Sequence, residues 1–478
     1  MTLNNLIAQT GVSFGTSGVR ALAADITDQV AFLYTTSFIQ FVEKRYSNLE
    51  KTIVLAGDRR PSTPRILNAI ASACIQKGYK VIYGGNIPTP ALSYYGFLHK
   101  YPSIMVTGSH IPFDRNGIKF NKPNGELLKD DEKDLKNEII QDENPVITNV
   151  ELKEDPTVKN AYVNRYLDFF PQKYLSGKRI GLYGHSSVTR EVFYEILTSF
   201  GAEVTKLGFT EEFIPIDTDA IREEDRVLYK NWEKEYDFDA IVSADGDGDR
   251  PMVGDDLGEI IVGDVLDTLV SSYLGANTVV CPVMCNTAIE KSGLFSKVLR
   301  TKIGSPYVIK GMLDNPEGIV VGFEANGGFV LGSRVEKEGR ILEPLMTRDA
   351  LLPILAVLAL SIGKGKLISE LFDNLPKRFT YNDRLKEFPT EKSKELLSSL
   401  TNIVKSKMTL EGSVLEGIGG MVVEVNETDG LRLTMENGDI FQLRPSGNAP
   451  ELRCYVESDT VDRAKELNKL LLSKISSL

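Results

Sequence analysis

KTIVLAGDRRPSTPRILNAIASACIQKGYKVIYGG, from Lys51 to Gly85, decides the fold. An apolar run leads into a glycine and a polar turn, then an amphipathic stretch, then a glycine and a second apolar run. KRIGLYGHSSVTREVFYEILTSFGAEVTKLG, from Lys178 to Gly208, repeats the pattern, and a weaker third copy opens with TVVCPVMCNTAIEKSG at Thr278. Strands alternating with helices of this length imply βαβ units on parallel sheet. Each copy leads to a further apolar strand that ends in a polar motif: Thr107-Gly-Ser109-His110, Ser243-Ala-Asp245 and Gly322-Phe-Glu324. In open α/β sheets ligands bind beyond the carboxyl ends of strands, so three such loops are expected to share one cleft.

The C-terminal stretch reads differently. MVVEV, LRLTM, IFQLR and ELRCYVE are short strands between polar turns, and VDRAKELNKLLLSKI closes the chain as an amphipathic helix. The expected architecture is α/β: three similar α/β domains with mixed or parallel sheets, plus a C-terminal antiparallel α+β domain, around one central cleft. Charged segments near Lys129–Glu154 and Lys364–Asp383 mark boundaries, giving domains at 1–150, 151–262, 263–376 and 377–478. A chain of 478 residues is too long for one ordinary core, which agrees.

Composition narrows the function. With 55 basic and 66 acidic residues the net charge is −11, which disfavours nucleic acid and anionic membrane as partners. An anionic substrate then needs a local basic site. The four cysteines (Cys74, Cys281, Cys285 and Cys454) lack zinc or redox spacing and are expected to be buried, reduced thiols of a cytoplasmic protein. The N-terminus lacks a signal-peptide pattern. LLPILAVLALSI, from Leu351, is too short to span a bilayer and is expected to be a buried helix.

Asp245-Gly-Asp247-Gly-Asp249-Arg250 gathers three carboxylates that repel one another unless a hard divalent cation joins them. An EF-hand needs Gly and Glu where Arg250 and Asp256 stand, and a plain acidic turn is the weaker alternative. Ser109 lies on a strand-to-loop corner outside any G-x-S-x-G elbow, and adjacent side chains usually diverge, so His110 is not expected to be its triad base. A serine beside a metal motif suits phosphoryl transfer. Glu324 and Asn326 offer groups for sugar hydroxyls, although a simple β-turn explains them equally well. Arg444-Pro-Ser446-Gly447-Asn448 supplies the basic phosphate site, with a hairpin turn as the alternative. No P-loop or G-x-G-x-x-G occurs, so nucleotide-driven kinases and Rossmann dehydrogenases lack support.

Together, and in this order, these motifs resemble the α-D-phosphohexomutase family, the phosphoglucomutases and phosphomannomutases. FGTSGVR from Phe14 resembles the family's opening motif and GDRRPS from Gly57 its first βα turn. TGSHIPFDRNGIKF resembles its phosphoserine loop, DGDGDR its metal loop, GFEANGG its sugar loop and RPSGNAPELR its phosphate loop. The resemblance implies that Ser109 donates and accepts the phosphoryl group, and that Asp245, Asp247 and Asp249 hold Mg²⁺ with the Ser109 phosphate. It places Arg20 and Lys119 beside the transferring group in general acid–base roles, and His110 joins the expected catalytic set. Glu324 and Asn326 would bind sugar hydroxyls. Arg444, Ser446, Gly447 and Asn448 would bind the non-reacting phosphate, and Arg250, Thr301, Gly304 and Arg453 complete the substrate-binding set.

Two positions depart from the family pattern. Gly328 stands where some bacterial members have a histidine that serves as acid or base, and Asn448-Ala449 where many have Thr-Glu. The expected reaction interconverts a hexose 6-phosphate and 1-phosphate through a 1,6-bisphosphate intermediate, with movement of the C-terminal domain as the gate. GFEANGG and LPKRFTYNDRL, from Leu375, favour mannose. Phosphoglucomutase or phosphoglucosamine mutase is the near alternative. A metal-dependent sugar phosphatase and a non-catalytic sugar-phosphate-binding protein are the distant ones. The chain is expected to be a monomer or weak dimer.

Overall fold

The computed structural model describes every residue except 142–144, 447–449 and 478. The chain forms two compact units, one of residues 1–279 and 304–373, the other of residues 280–303 and 374–478.

The first unit begins with a seven-stranded sheet. Strand Thr52–Gly57 runs parallel to Lys80–Tyr83 and to Ser103–Val106, as the repeat predicts. Helix Thr63–Gln76, with proline in its first turn, supplies the crossover and buries Ile66, Leu67 and Ile70. After Val106 the direction reverses, and Arg115–Lys122 pairs antiparallel with Ser103–Val106 and with Val19–Leu22. The connection that carries Ser109 is too short for a right-handed crossover, so the sheet is mixed rather than parallel. The charged stretch from Lys129 opens as helix Lys129–Lys136, whose Leu135 belongs to the core beneath this sheet.

The second repeat builds a four-stranded sheet. Ala240–Ala244 is parallel to Arg179–Tyr183, which is parallel to Glu203–Leu207, and Pro251–Gly254 turns back antiparallel. In the third repeat Phe329–Leu331 lies antiparallel to both Val320–Phe323 and Leu345–Asp349, the first turn being short and the second connection carrying the hairpin of Val335–Lys337 and Arg340–Leu342. Helix Leu351–Lys364 is the apolar stretch noted in the sequence, and it buries Leu351 through Leu358. Among the described residues no helix is long and apolar enough to cross a membrane.

The second unit carries a five-stranded antiparallel sheet in the order Phe379–Leu385, Leu452–Ser458, Ile440–Pro445, Leu431–Met435, Val422–Asn426. Helices Thr390–Lys407 and Val461–Ser476 bury Leu400, Val404, Leu467 and Leu471 in its core. All four cysteines are buried free thiols.

One buried polar group joins helix Pro156–Phe169 to strand Leu345–Asp349. Asp349 accepts hydrogen bonds from the phenol of Tyr162 at 2.6 Å, from that of Tyr166, and from the Leu351 amide at 2.8 Å. Burial raises the Asp349 carboxyl above its ordinary range, and the two phenols oppose that rise. Tyr162→Phe removes one donor and leaves a buried oxygen short of a partner. It should cost about 1–3 kcal/mol, read as a lower midpoint in urea unfolding. An unchanged midpoint would show that the Leu351 amide satisfies that oxygen alone.

Candidate active site

Asp245, Asp247 and Asp249 begin in the loop after strand Ala240–Ala244, and the glycines between them fold the three carboxylates toward one point. One ligand oxygen from each lies within 4.8 Å of the others, and all three residues are buried. At such a separation two like charges repel by about 3–4 kcal/mol at an effective dielectric of ~20. The surroundings oppose that repulsion. Lys119 Nζ donates to Asp247 Oδ2 and Asp249 Oδ2, each at 2.6 Å. Arg348 donates to Asp249 Oδ2 at 2.6 Å and to Glu324 Oε2 at 2.9 Å. Thr89 donates its hydroxyl to Asp247 Oδ2 at 2.6 Å.

Ser109 completes the cluster. Its Oγ donates to Asp245 Oδ2 at 2.6 Å, across 136 positions of sequence. The serine holds a left-handed φ of 53°, which disfavours ordinary side chains, so the loop must be pinned. Arg60 pins it. Its guanidinium donates to the carbonyls of Ser109 at 3.1 Å, Ile111 at 2.6 Å, Pro112 at 2.6 Å and Arg115 at 2.9 Å, and it pairs with Asp58 at 3.0 Å. Asp58 in turn accepts from the Thr107 hydroxyl at 2.9 Å and the Gly108 amide at 3.1 Å. A Cβ at Gly108 would lie 2.3 Å from Arg60 Cζ, and one at Gly246 would lie 2.7 Å from the Ser109 carbonyl, so both loops need glycine to meet.

His110 differs from the reading of its sequence position. Its Nδ1 lies 3.3 Å from Ser109 Oγ, because the left-handed turn at Ser109 swings neighbouring side chains together. Burial, with Arg250 and Arg20 nearby, keeps its imidazole well below the usual range and so neutral. Arg20 is partly buried and pushed down to about 10 by desolvation, while Asp247 and Asp249 oppose that fall. Asn326 Oδ1 accepts from the Gly328 amide at 3.0 Å, and Asn326 Nδ2 approaches Asp219 at 3.4 Å. Arg250 reaches the same Asp219 at 3.3 Å. Gly304, with φ of 129°, caps helix Ser305–Leu313 beside Thr16 of the opening motif.

The remaining predicted residues belong to the second unit. Thr301 ends strand Lys297–Thr301. Arg444 pairs with Asp429 at 2.8 Å, and the Ser446 amide donates to the Glu451 carbonyl at 2.8 Å. Arg453 stands in register between Arg444 and Arg384. Carboxylates of the chain offset two of these cations, Asp429 beside Arg444 and Glu451 beside Arg384 at 3.4 Å. Gly447 and Asn448 lie outside the described residues.

The sequence reading missed Arg348, Thr89 and the structural part played by Arg60. Only GDRRPS carried a signal, as a motif without an assigned role.

The acidic triplet suits a hard cation. Asp247 Oδ1 and Asp249 Oδ1 are buried without hydrogen bonds, which leaves lone pairs for a metal, and all-oxygen ligands match Mg²⁺. Asp245 is raised well above the usual carboxyl range by burial and by its two acidic neighbours. Asp249 is held far below it by Arg348, Lys119 and Arg250, despite its burial. Without a metal, therefore, Asp245 is the most readily protonated of the three.

Comparison with known proteins gives matches along most of the chain. Residues 11–145 match phosphoglucomutase/phosphomannomutase alpha/beta/alpha domain I, residues 254–379 match alpha/beta/alpha domain III, and residues 400–473 match the C-terminal domain. A phosphomannomutase of Salmonella muenchen is 43% identical over 478 residues, covering 99% of this chain and 97% of that protein. One of Sinorhizobium fredii is 39% identical, covering 96% and 97%. A phosphoglucosamine mutase of Aliarcobacter butzleri is 31% identical, covering 75% and 82%. The fold is shared with a phosphoglucomutase/phosphomannomutase family protein from Burkholderia thailandensis, at a TM-score of 0.73 and 18% identity over 97% of each chain.

The raised Asp245 carboxyl makes metal binding pH-dependent. A cation must displace the proton there, so affinity rises with pH. In the metal-free chain the same group adds stability below its unfolded pKa of ~3.9 and loses it as pH climbs through the higher folded value. Asp249 acts oppositely: its contribution is present above ~3.9 and lost only in strong acid. The rise in unfolding temperature caused by Mg²⁺ should therefore be larger near pH ~8 than near pH ~5.5. Equal shifts at the two values would contradict the placement of that proton.

Proposed function

Because the chain belongs to the phosphoglucomutase/phosphomannomutase family, the α-D-phosphohexomutases, we propose that it interconverts mannose 6-phosphate and mannose 1-phosphate through phosphorylated Ser109. The observation that carries this reading is the hydrogen bond from Ser109 Oγ to Asp245 inside a buried acidic triplet. A hydroxyl held there suits phosphoryl transfer and little else. Mannose is chosen over other hexoses because the relatives at 43% and 39% identity are phosphomannomutases.

Asp245, Asp247 and Asp249 would hold Mg²⁺, which when bound offsets charge on the phosphoryl oxygens. The chain's own groups do the rest. A sugar hydroxyl oxygen bonds to the phosphorus of phospho-Ser109 as the bond from phosphorus to Ser109 Oγ breaks. The hydroxyl proton passes to a nearby base, for which neutral His110 is the candidate, and Ser109 Oγ leaves as an alkoxide that takes a proton from the Lys119 ammonium. Arg20 and Lys119 stabilise the charge that develops in transit, and their fixed positions supply most of the remaining rate. Glu324 and Asn326 bind sugar hydroxyls, with Arg250 and Gly304 as further substrate contacts. Arg444, Ser446, Gly447, Asn448, Arg453 and Thr301 are assigned to the phosphate that does not react. The resulting hexose 1,6-bisphosphate turns over, and the reverse transfer rephosphorylates Ser109. The four segments 1–150, 151–262, 263–376 and 377–478 are proposed to carry the serine, metal, sugar and phosphate loops in turn.

A glucosamine-phosphate substrate is the second reading, favoured by the Aliarcobacter relative. Rates with mannose 1-phosphate, glucose 1-phosphate and glucosamine 1-phosphate, under the same Mg²⁺ and bisphosphate activator, decide between them. Ser109→Ala should abolish turnover of mannose 1-phosphate under those conditions. Near-normal activity in that variant would refute the assignment.

A further inference from the structure

Gly328 ends the sugar loop without a side chain, and the structure shows what fills the space. A Cβ built on Gly328 would lie 2.6 Å from Arg348 Cδ and 3.2 Å from Arg348 Cγ. The Arg348 stem thus crosses the volume that any larger residue at 328 would take. Its guanidinium then spans two loops, with one nitrogen on Asp249 and the other on Glu324, all three side chains at least nine-tenths buried. The strand beneath is pinned on both sides of Arg348. Thr347 donates to Glu126 at 2.5 Å, and Asp349 takes the two phenols and the Leu351 amide.

We propose that Arg348, made possible by the missing side chain at Gly328, is a positioning residue that fixes the spacing between the metal-loop carboxylate Asp249 and the sugar-loop carboxylate Glu324. A planar guanidinium does this because its two terminal nitrogens diverge at a fixed angle. A lysine ammonium carries the same charge without the same span. Arg348 also competes with a metal for Asp249, so it moderates cation affinity while it holds the loop ready. The inference rests on the mutase reading for its kinetic part only.

The test combines Gly328→Ala, Arg348→Met and the double variant. A methyl at 328 displaces the Arg348 stem, so both single changes attack one device. Each should lower kcat by roughly 10-fold or more with a smaller change in KM, and the double variant should be no worse than the poorer single. Losses that multiply in the double variant would overturn the proposal. Calorimetric titration of the resting protein with Mg²⁺ supplies a readout free of turnover. Arg348→Met should bind Mg²⁺ more tightly than wild type, because a competing cation has left Asp249. Equal or weaker binding would overturn the competition between Arg348 and the cation, and the kinetic comparison then decides the positioning role alone. Should Arg348→Met fail to fold, Arg348→Lys carries the kinetic test: full activity there would overturn the need for a guanidinium. Wild-type turnover in the same assay checks the mutase reading separately.

Discussion

Three carboxylates buried within 4.8 Å of one another set the terms for the first unit of this protein. Left alone, their mutual repulsion would open the loop or protonate it. Instead the chain brings cations to them from distant segments: Lys119 from the first sheet, Arg250 from the loop itself, and Arg348 from the third repeat. The compensation is incomplete. Two oxygens keep unshared lone pairs, and Asp245 is driven toward its protonated form. A site tuned only for stability would replace such a cluster with apolar residues. This one keeps a concentrated negative charge beside a hydroxyl.

The serine loop shows the same economy of means. A non-glycine residue at positive φ is costly, and Ser109 is held there by one arginine that satisfies four loop carbonyls. Arg60 is itself held by Asp58, so the first βα turn after strand Thr52–Gly57 acts as the frame on which the serine is mounted. The left-handed turn also explains why His110 approaches Ser109, although they are neighbours in sequence.

Much of this was legible from the chain alone. Strand–helix alternation identified the repeats, because burial against a sheet imposes period and length locally. DGDGDR was legible as a candidate cation site because its three carboxylates are close in sequence. Arg348 was not, since nothing in LEPLMTRDALLP marks it; its meaning comes from Asp249 and Glu324, 99 and 24 positions away. Thr89 and Asp247 are separated by 158 positions. The sheets proved more antiparallel than the repeat alone suggested, because connection length, rather than the strand pattern, sets direction. The Gly328 departure was visible as an absence. Its physical content, an arginine stem in the vacated volume, required coordinates.

In the proposed reaction Ser109 carries the phosphoryl group in transit. The most direct measurement is the mass of the chain after incubation with hexose 1,6-bisphosphate and Mg²⁺, followed by peptide mapping. A gain of about 80 Da is expected, confined to the peptide containing Ser109 and lost when hexose monophosphate is supplied in excess as acceptor. An unmodified Ser109, or a stable phosphate on any other residue, would contradict this role for Ser109.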